Sequence, residues 1–478
     1  MLRTTRLDLG QIAALIASVT IAGTIAAQSP TPSASPATNA VASWLAFDAP
    51  PGEEYRLTDP VMATDSRWRR DDLGNLIMAV GTGHPRRLVA CGLDHVGLVV
   101  SEITDQGYLR LHRAGNARTH PLWDQFHEAQ QVNILTPTGS VPGVVAVTNA
   151  HFARQHLADT AVTNVDHLWV DIGARTRQET KDLGIELLDP VTRSIKPWQY
   201  ADYVAGGDAS GRAACAAVAS VAHSARDMHG AGETVFVLST QRSLGWQGLQ
   251  GAVARLGAFD EATIVDASEL KSVRDDASVS RSRSVRSATM QPFAGLDSIS
   301  WLEVRARFSG SLVESVRSAD LDSLLDAVRS AAGIRGPVGW LTLRAPMARS
   351  VTRASDSLSA TSDLLTTLVE LPGVPGHEQP VRDAVRAELP EWARSQVKQD
   401  SVGNLLLAMG PDRDTTVFLA HMDEVSYTVR SISSDGTVTL TMQGGLIPSA
   451  WEGQPALLYL DGSTEREGVV TPTPIAGV

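Results

Sequence analysis

The chain contains one sequence motif twice, and this repeat constrains its fold more than any other feature. The segment Asp71–Leu76 (DDLGNL) matches Asp400–Leu405 (DSVGNL) near the other end of the chain. The offset from Asp71 to Asp400 also relates two further pairs of segments, Leu93–Val96 with Met422–Val425 and Ile103–Gly107 with Ile432–Gly436. Because chance matches do not keep one register over such a distance, the sequence predicts two copies of one structural unit.

The two copies differ in length. The first extends to a Ser/Arg-rich boundary near Arg344, whereas the second begins near Leu364 and has little more than a hundred residues. We therefore expect only the N-terminal part of a second unit in this chain. The predicted organisation is a signal peptide (1–27), a Pro/Ser/Ala linker (28–42), a first copy (43–343) with a β-rich insert at about 98–200, a second linker (344–363) and the partial second copy (364–478).

The N-terminus predicts export from the cytoplasm. Arg3 and Arg6 precede sixteen uncharged, mostly apolar residues, Ile12–Ala27, which end in small residues. This pattern is typical of a signal peptide, with an uncleaved membrane anchor as the alternative. We expect a secreted or periplasmic protein that has no membrane attachment once the signal is removed.

The net charge of the chain limits the class of partner, and its cysteine count limits the number of disulfides. The chain has 41 Lys and Arg against 53 Asp and Glu, a net charge of −12, and it lacks a long basic run. Nucleic acid is therefore not expected as a partner, and small molecules or peptides are favoured. Two cysteines, Cys91 and Cys215, allow at most one disulfide, and the sequence leaves their pairing open.

The first copy has the pattern of an α/β fold. Apolar runs such as Leu88–Cys91 and Thr234–Leu238 have the length of buried strands, and Arg212–Ala225 between them predicts a helix. Strands that alternate with helices predict a mostly parallel sheet covered on both faces, with its site at the carboxyl ends of the strands. The Ser/Arg-rich stretch Lys271–Gln291 lacks such periodicity and predicts a solvated loop.

In the second copy, an apolar run leads into residues that can bind metal. Val417–Ala420 predicts a buried strand, and His421 and Asp423 follow it directly. Two residues apart on an extended chain, the imidazole and the carboxylate point the same way, so Asp423 can orient a metal-bound His421. Taken alone, a structural histidine at the end of a strand is the stronger interpretation.

The surrounding motifs favour the metal site. They occur in one order in the second copy, and others extend the match in the first copy: Leu368–Gly373, Gly376–Glu378, Val381–Arg382, Gly403–Leu405 and His421–Val425, then Val170–Ala174, Leu183–Ile185 and Asp189–Val191. Together they resemble the glutamyl and tetrahedral aminopeptidases, peptidase family M42, from Ser43 to Val478.

The resemblance implies a fold and an activity. The fold is an α/β/α sandwich interrupted by a β-barrel insert, followed here by the N-terminal part of a second copy. The activity is the removal of N-terminal residues from peptides by two co-catalytic zinc ions and a glutamate base. In the second copy, His421 would bind zinc and Asp423 would orient it, but one histidine does not make a co-catalytic pair, so we expect activity only if the natural protein continues past Val478 with the remaining ligands and the base. The family assembles through the barrel insert, so homo-oligomers are expected.

The first copy departs from the family at the site itself. Four of the five ligands and the base are replaced, and the replacing residues are Gly92, Ser210, Arg242, Ser243 and Gly310. Glycine and serine do not supply the donors that zinc requires, and an arginine adds positive charge where cations would sit. We therefore expect a pseudoenzyme copy without a dinuclear site.

Some acidic residues of the first copy remain as candidates. The orienting Asp94 and the ligand Asp266 are retained, Asp208 could replace the lost bridging ligand, and His95 could be a relocated one. The competing interpretations for Asp208 and His95 are a polar loop residue and a hydrogen-bonded structural histidine. At the level of the protein, the alternative to a zinc aminopeptidase is a non-catalytic scaffold that binds peptides or forms oligomers.

Overall fold

The computed structural model describes fourteen parts of the chain, which include most of the first copy. They are residues 35–114, 124, 127–147, 163–194, 196–225, 230–268, 279–285, 296, 298–344, 359–411, 415–434, 437–445, 455–460 and 464–469. The predicted signal peptide at 1–27 lies outside them. Among the helices in these parts, none has the length and apolar character needed to cross a bilayer.

The first copy and the second contain nine helices and 22 strands in the described residues. The helices are α1 Pro36–Leu45, α2 Tyr55–Thr64, α3 Arg177–Asp182, α4 Ala209–Ser224, α5 Gln247–Leu256, α6 Ser318–Ala331, α7 Ser359–Val369, α8 Gln379–Glu388 and α9 Glu391–Arg394. The strands are β1 Arg69–Arg70, β2 Leu76–Thr82, β3 Arg86–Gly92, β4 Gly97–Ile103, β5 Leu109–Ala114, β6 Gln131–Thr136, β7 Gly139–Val145, β8 Trp169–Asp171, β9 Pro190–Arg193, β10 Trp198–Tyr200, β11 Tyr203–Ala205, β12 Gly232–Ser239, β13 Glu261–Ser268, β14 Val279–Val285, β15 Ser298–Arg305, β16 Ser315–Arg317, β17 Lys398–Gln399, β18 Leu405–Leu406, β19 Ser426–Ile432, β20 Val438–Gln443, β21 Pro455–Leu460 and β22 Thr464–Val469.

A seven-stranded sheet forms the centre of the first copy, in the order β1-β2-β12-β3-β13-β15-β14. Its four central strands are parallel, and the pairs at both edges are antiparallel. The middle strand, β3, is buried from Leu88 to Gly92, as expected for an apolar run covered on both faces. The prediction of a mostly parallel sheet is confirmed.

Helices cover both faces of this sheet. Side chains alternate along β12, so Phe236 packs with α1, α4 and α6, whereas Val235 and Val237 pack with α5 on the opposite face. Helix α4 is buried along its whole length from Ala209 to Ala222. Its small side chains allow the helix to lie close to the strands. The predicted α/β/α sandwich is confirmed.

The insert folds as a closed barrel of six strands in the order β4-β5-β8-β7-β6-β9. Its interior is an apolar cluster of its own, which includes Val100, Leu111, Ile134 and Val170. Alternating inward apolar and outward polar residues produce such an interior in a small barrel. The predicted β-barrel insert is thus confirmed, and its six strands lie between Gly97 and Arg193.

Three predicted irregular stretches contain regular structure instead. Helix α1 begins at Pro36, within the predicted linker, because Ser35 caps it and its apolar face is buried against the sheet. Helix α7 begins at Ser359, so the linker expected at 344–363 is wrong at its end. Strand β14 lies in the Ser/Arg-rich stretch predicted to be a loop. It is an edge strand, and polar residues are compatible with an edge.

The second copy repeats the local structure of the first. Hairpin β19–β20 follows hairpin β4–β5 at the offset of the sequence repeat, and both have an irregularity after the fourth residue of the first strand. Strands β17 and β18 pair in the same register as the start of β1 and β2. The Asp71 carboxylate accepts from the main chain of Leu73 and Asn75, and Asp400 accepts from Val402 and Asn404 in the same way.

The predicted buried strand Val417–Ala420 is wrong. These residues form no strand, and the side chains of Phe418 and Leu419 are 95% and 92% exposed. In the first copy, the corresponding strand β3 is buried because β12 and β13 pair with it on either side. Among the residues that the structure describes, no strand pairs with Val417–Ala420.

Candidate functional site

The strand register of the first copy brings the predicted site positions together. Ser239 at the end of β12 pairs with Gly92 at the end of β3, and Val265 of β13 pairs with Cys91. The carboxyl ends of three neighbouring parallel strands are therefore level. Asp266 on β13 and the loop after β12 consequently lie at the same edge as Gly92.

Arg242 occupies the centre of this edge. Its Nη2 atom lies 2.5 Å from Oδ1 of Asp266, and its Nη1 atom lies 3.3 Å from Oδ1 of Asp208. The side chain of Arg242 is only 18% exposed, and the two carboxylates are similarly covered. The sequence placed a positive charge in this region, and the structure shows that the guanidinium links two of the acidic candidates.

The electrostatics keep this arginine charged. Burial disfavours the charge, but the carboxylates of Asp266, Asp208 and Asp94 outweigh burial and raise the pKa of Arg242 above its ordinary value. Burial raises the pKa of Asp208, while the charges of Arg242 and Arg212 oppose that rise. One cation therefore stabilises several carboxylates that would be costly to bury alone.

Asp94 holds the loop that carries Arg242. Its side chain is fully buried, and its two oxygens accept hydrogen bonds from the main-chain N–H groups of Arg242 and Ser243 at 2.5 and 2.8 Å. The hydroxyl of Ser243 donates a further bond at 2.5 Å. Asp94 is thus engaged in positioning the loop in this structure.

Gly92 and Arg242 depend on each other sterically. A Cβ atom added at Gly92 would lie 2.2 Å from Cδ and 2.6 Å from both Cβ and Cγ of Arg242. A histidine at position 92 is incompatible with this position of the arginine. The residues around Arg242 therefore do not fit the two-metal centre that the resemblance implies, because Gly92 and Ser210 offer no imidazole or carboxylate and a guanidinium lies between Asp208 and Asp266.

Glu314 is a site residue that the sequence analysis missed. Its Oε1 atom accepts from the N–H and hydroxyl of Ser210, at 2.8 and 2.5 Å, and its Oε2 atom accepts from the N–H of Gly310 at 2.7 Å. It therefore bridges Ser210 and Gly310, two positions that the resemblance assigns to metal ligands. Burial, followed by the charge of Asp208, raises the pKa of Glu314. A single carboxylate within the apolar segment Leu312–Val316 was the available signal.

A disulfide lies directly beside the site. Cys91 on β3 is bonded to Cys215 on α4, with 5.4 Å between their Cα atoms, and both residues are fully buried. This answers the question that the sequence left open. The bond joins the strand that ends at Gly92 to the helix whose first turn contains Ser210.

His95 makes a local contact. Its Nδ1 atom lies 3.0 Å from the carbonyl oxygen of Val96, and burial lowers its pKa to about 4. The ring is neutral near pH 7 as a result. This contact agrees with the interpretation of a hydrogen-bonded structural histidine.

In the second copy, His421 and Asp423 lie together on the surface. Nδ1 of His421 is 2.8 Å from the main-chain oxygen of Asp423 and 3.4 Å from its Oδ1 atom. The imidazole is 83% exposed. Within the described ranges, no cluster of three or more His, Cys, Asp or Glu side chains could hold a metal ion. The metal roles proposed for His421, Asp423, Asp266 and Asp208 thus remain predictions.

Comparison with known proteins identifies the family. A family model described as M42 glutamyl aminopeptidase matches residues 74–283 and 403–476, which are more than half of the chain. The chain therefore belongs to this family, which comprises metal-dependent aminopeptidases. The starts of the two matched segments differ by the same offset as the repeated sequence motifs.

The matching relatives are longer than the aligned part. The chain is 29% identical over 224 residues to SgcX of Escherichia coli strain K12, a provisionally assigned aminopeptidase, covering 45% of this chain and 58% of SgcX. It is 32% identical over 117 residues to the lysyl aminopeptidase of Pyrococcus furiosus, covering 24% of this chain and 32% of that protein. The chain thus aligns with less than two thirds of either relative.

Solved structures support the fold. Aminopeptidase APDkam598 of Desulfurococcus kamchatkensis superimposes with a TM-score of 0.53 at 17% identity, over 63% of this chain and 95% of that one. The Pyrococcus horikoshii TET1 peptidase, described as assembling into a tetrahedron or a large octahedral shell, gives a TM-score of 0.52 at 20% identity. That match covers 62% of this chain and 99% of the other.

Proposed function

We propose that this protein is an aminopeptidase of the M42 type whose zinc chemistry belongs to the second copy and whose first copy is catalytically silent. Family membership supports the activity on peptides. The observation that carries the division of roles is the guanidinium of Arg242, which lies between Asp208 and Asp266 where a dinuclear site would need space for cations. In the second copy, the contact between His421 and Asp423 agrees with a ligand and its orienting residue.

The test measures hydrolysis and metal content in the full natural polypeptide. Leucine- and glutamate-anilides are the substrates, and zinc is counted by elemental mass spectrometry. We expect activity to be lost on chelation, to fall at least about 100-fold in His421→Ala, and to fall about 10- to 100-fold in Asp423→Ala. Arg255→Ala, an exposed arginine, is the matched control and should keep full activity. More than one tightly bound zinc per chain in His421→Ala would contradict a silent first copy.

A non-catalytic scaffold is the second candidate. The ion pairs of Arg242 with Asp208 and Asp266 favour it, because they fill the place where the first copy would otherwise hold cations. In this role the first copy would bind peptides or self-associate through its barrel, as expected from a family with large assemblies. Absence of anilide hydrolysis with and without added zinc, together with a large particle in light scattering, would favour the scaffold over the enzyme.

We also propose that the protein acts outside the cytoplasm. The apolar N-terminal segment Ile12–Ala27 supports export. The buried Cys91–Cys215 bond agrees with folding in an oxidising compartment. Sequencing the N-terminus of the natural protein is expected to give a chain that starts near Gln28, whereas an intact Met1 would rule out a cleaved signal.

A further inference from the structure

Arg242 lies among more negative charge than it can pair with one to one. Asp208 and Asp266 contact its guanidinium, and Asp94 contacts its main chain. A second arginine near this group, Arg212, donates hydrogen bonds from its two terminal nitrogens to the main-chain oxygens of Leu93 and Phe47. Arg242 directly contacts the carboxylates of both Asp208 and Asp266.

One carboxylate oxygen of this group has no hydrogen-bond partner. Oδ2 of Asp208 is buried and accepts no hydrogen bond from the described residues. A buried carboxylate oxygen without a donor is costly unless a positive charge lies near it. Removing the guanidinium would thus take away one of the two arginine charges that compensate Asp208, and the same guanidinium contacts Asp266.

We propose that Arg242 is a built-in cation, so that the first copy is stable without metal, and that removing its guanidinium converts Asp208 and Asp266 into a binding site for a divalent cation. The inference rests on the proposed silence of the first copy. Its evidence is the position of the guanidinium between the two carboxylates, together with the close fit of its side chain against Gly92. Under this proposal Arg242 stabilises the folded first copy. If the metal ligands had simply been lost, Arg242 would have no such role.

The test follows thermal unfolding of the full chain, with Zn²⁺ as the probe. All variants carry His421→Ala, so that the imidazole of the second copy does not contribute to zinc binding. In the His421→Ala protein that keeps Arg242, the midpoint temperature of unfolding should not change with chelator or with added zinc. In Arg242→Ala the midpoint should fall by about 10 °C and rise again with zinc in a saturable manner. Isothermal titration should then give about one zinc per chain.

Three further variants make the result specific. Arg242→Lys keeps the charge and should retain most of the thermal midpoint without zinc. The triple variant Arg242→Ala/Asp208→Asn/Asp266→Asn also removes the negative charge of the two aspartates. Its midpoint temperature should therefore be higher than that of Arg242→Ala, and it should not change with zinc. Arg255→Ala, whose side chain is 48% exposed, should change the midpoint by no more than about 2 °C.

Several outcomes would overturn the inference. They are an unchanged midpoint in Arg242→Ala, a zinc response that persists after both aspartates are neutralised, and zinc stabilisation while Arg242 is present. If Arg242→Ala alone fails to fold, the charge-neutralised triple variant must fold, and its failure would also contradict the proposal. None of these readouts uses peptide hydrolysis, so the proposed aminopeptidase activity can fail or succeed independently.

Discussion

Removal of the Cys91–Cys215 disulfide is expected to lower the free energy of unfolding of the first copy by about 4 kcal/mol. The bond closes a loop with a sequence separation of 124, and the loss of chain entropy in the unfolded state is large for a loop of that size. It also ties β3, the middle strand of the sheet, to helix α4, which covers that sheet. Alanine is the suitable replacement because both cysteines are fully buried and a serine hydroxyl would lack partners.

The measurement is urea unfolding with and without a reducing agent. We expect the wild-type midpoint in reductant to fall to that of the double variant Cys91→Ala/Cys215→Ala, with little change in slope. The double variant serves as its own control, because reductant should leave its midpoint unchanged. If the urea midpoint of the wild-type protein is the same with and without reductant, although reductant reaches the bond in the unfolded protein, the bond contributes nothing to stability.

Gly92→Ala is expected to destabilise the first copy by roughly 2 to 3 kcal/mol, because the added methyl group would overlap three atoms of the Arg242 side chain. The arginine can relieve the overlap only by moving away from Asp266 and Asp208. The cost is therefore conditional on Arg242. In an Arg242→Ala background, the same change at Gly92 should cost less than about 1 kcal/mol.

A double-mutant cycle in urea measures this coupling. Gly339→Ala is the matched control, since an added Cβ there meets no atom within 4 Å and should change stability by less than about 0.5 kcal/mol. Equal costs for Gly92→Ala in the presence and absence of Arg242 would refute the steric argument.

The sequence predicted the sheet and the barrel because their signals are local. Runs such as Leu88–Cys91 are buried on both faces in the fold, and the β-rich insert was expected at about 98–200, whereas its closure into a barrel was implied by the family resemblance. Val417–Ala420 has the same local signal but forms no strand, because strand formation also requires partners from distant residues. Local pattern therefore predicts which segments can form strands, and pairing decides which do.

The site was predictable in position and only partly in chemistry. The motifs placed Gly92, Ser210, Arg242 and Gly310 at equivalent positions, and the structure brings them to one edge of the sheet. The contacts that Arg242 makes could not be predicted, since they depend on how its side chain fits against Gly92. The role of Glu314 and the pairing of Cys91 with Cys215 depend on residues more than a hundred positions apart along the chain.

Hairpins β4–β5 and β19–β20 have strands of the same length and the same register. In the barrel, β4 pairs with β9 and β5 pairs with β8. The backbone of β19–β20 can form the same hydrogen bonds with β9 and β8. During synthesis the earlier hairpin and β9 have both left the ribosome before the later hairpin exists, and this order favours the correct pairing. Refolding from denaturant removes that advantage, because both hairpins then compete from the start. We therefore expect exchange of strands between the two copies to be a misfolding route on refolding.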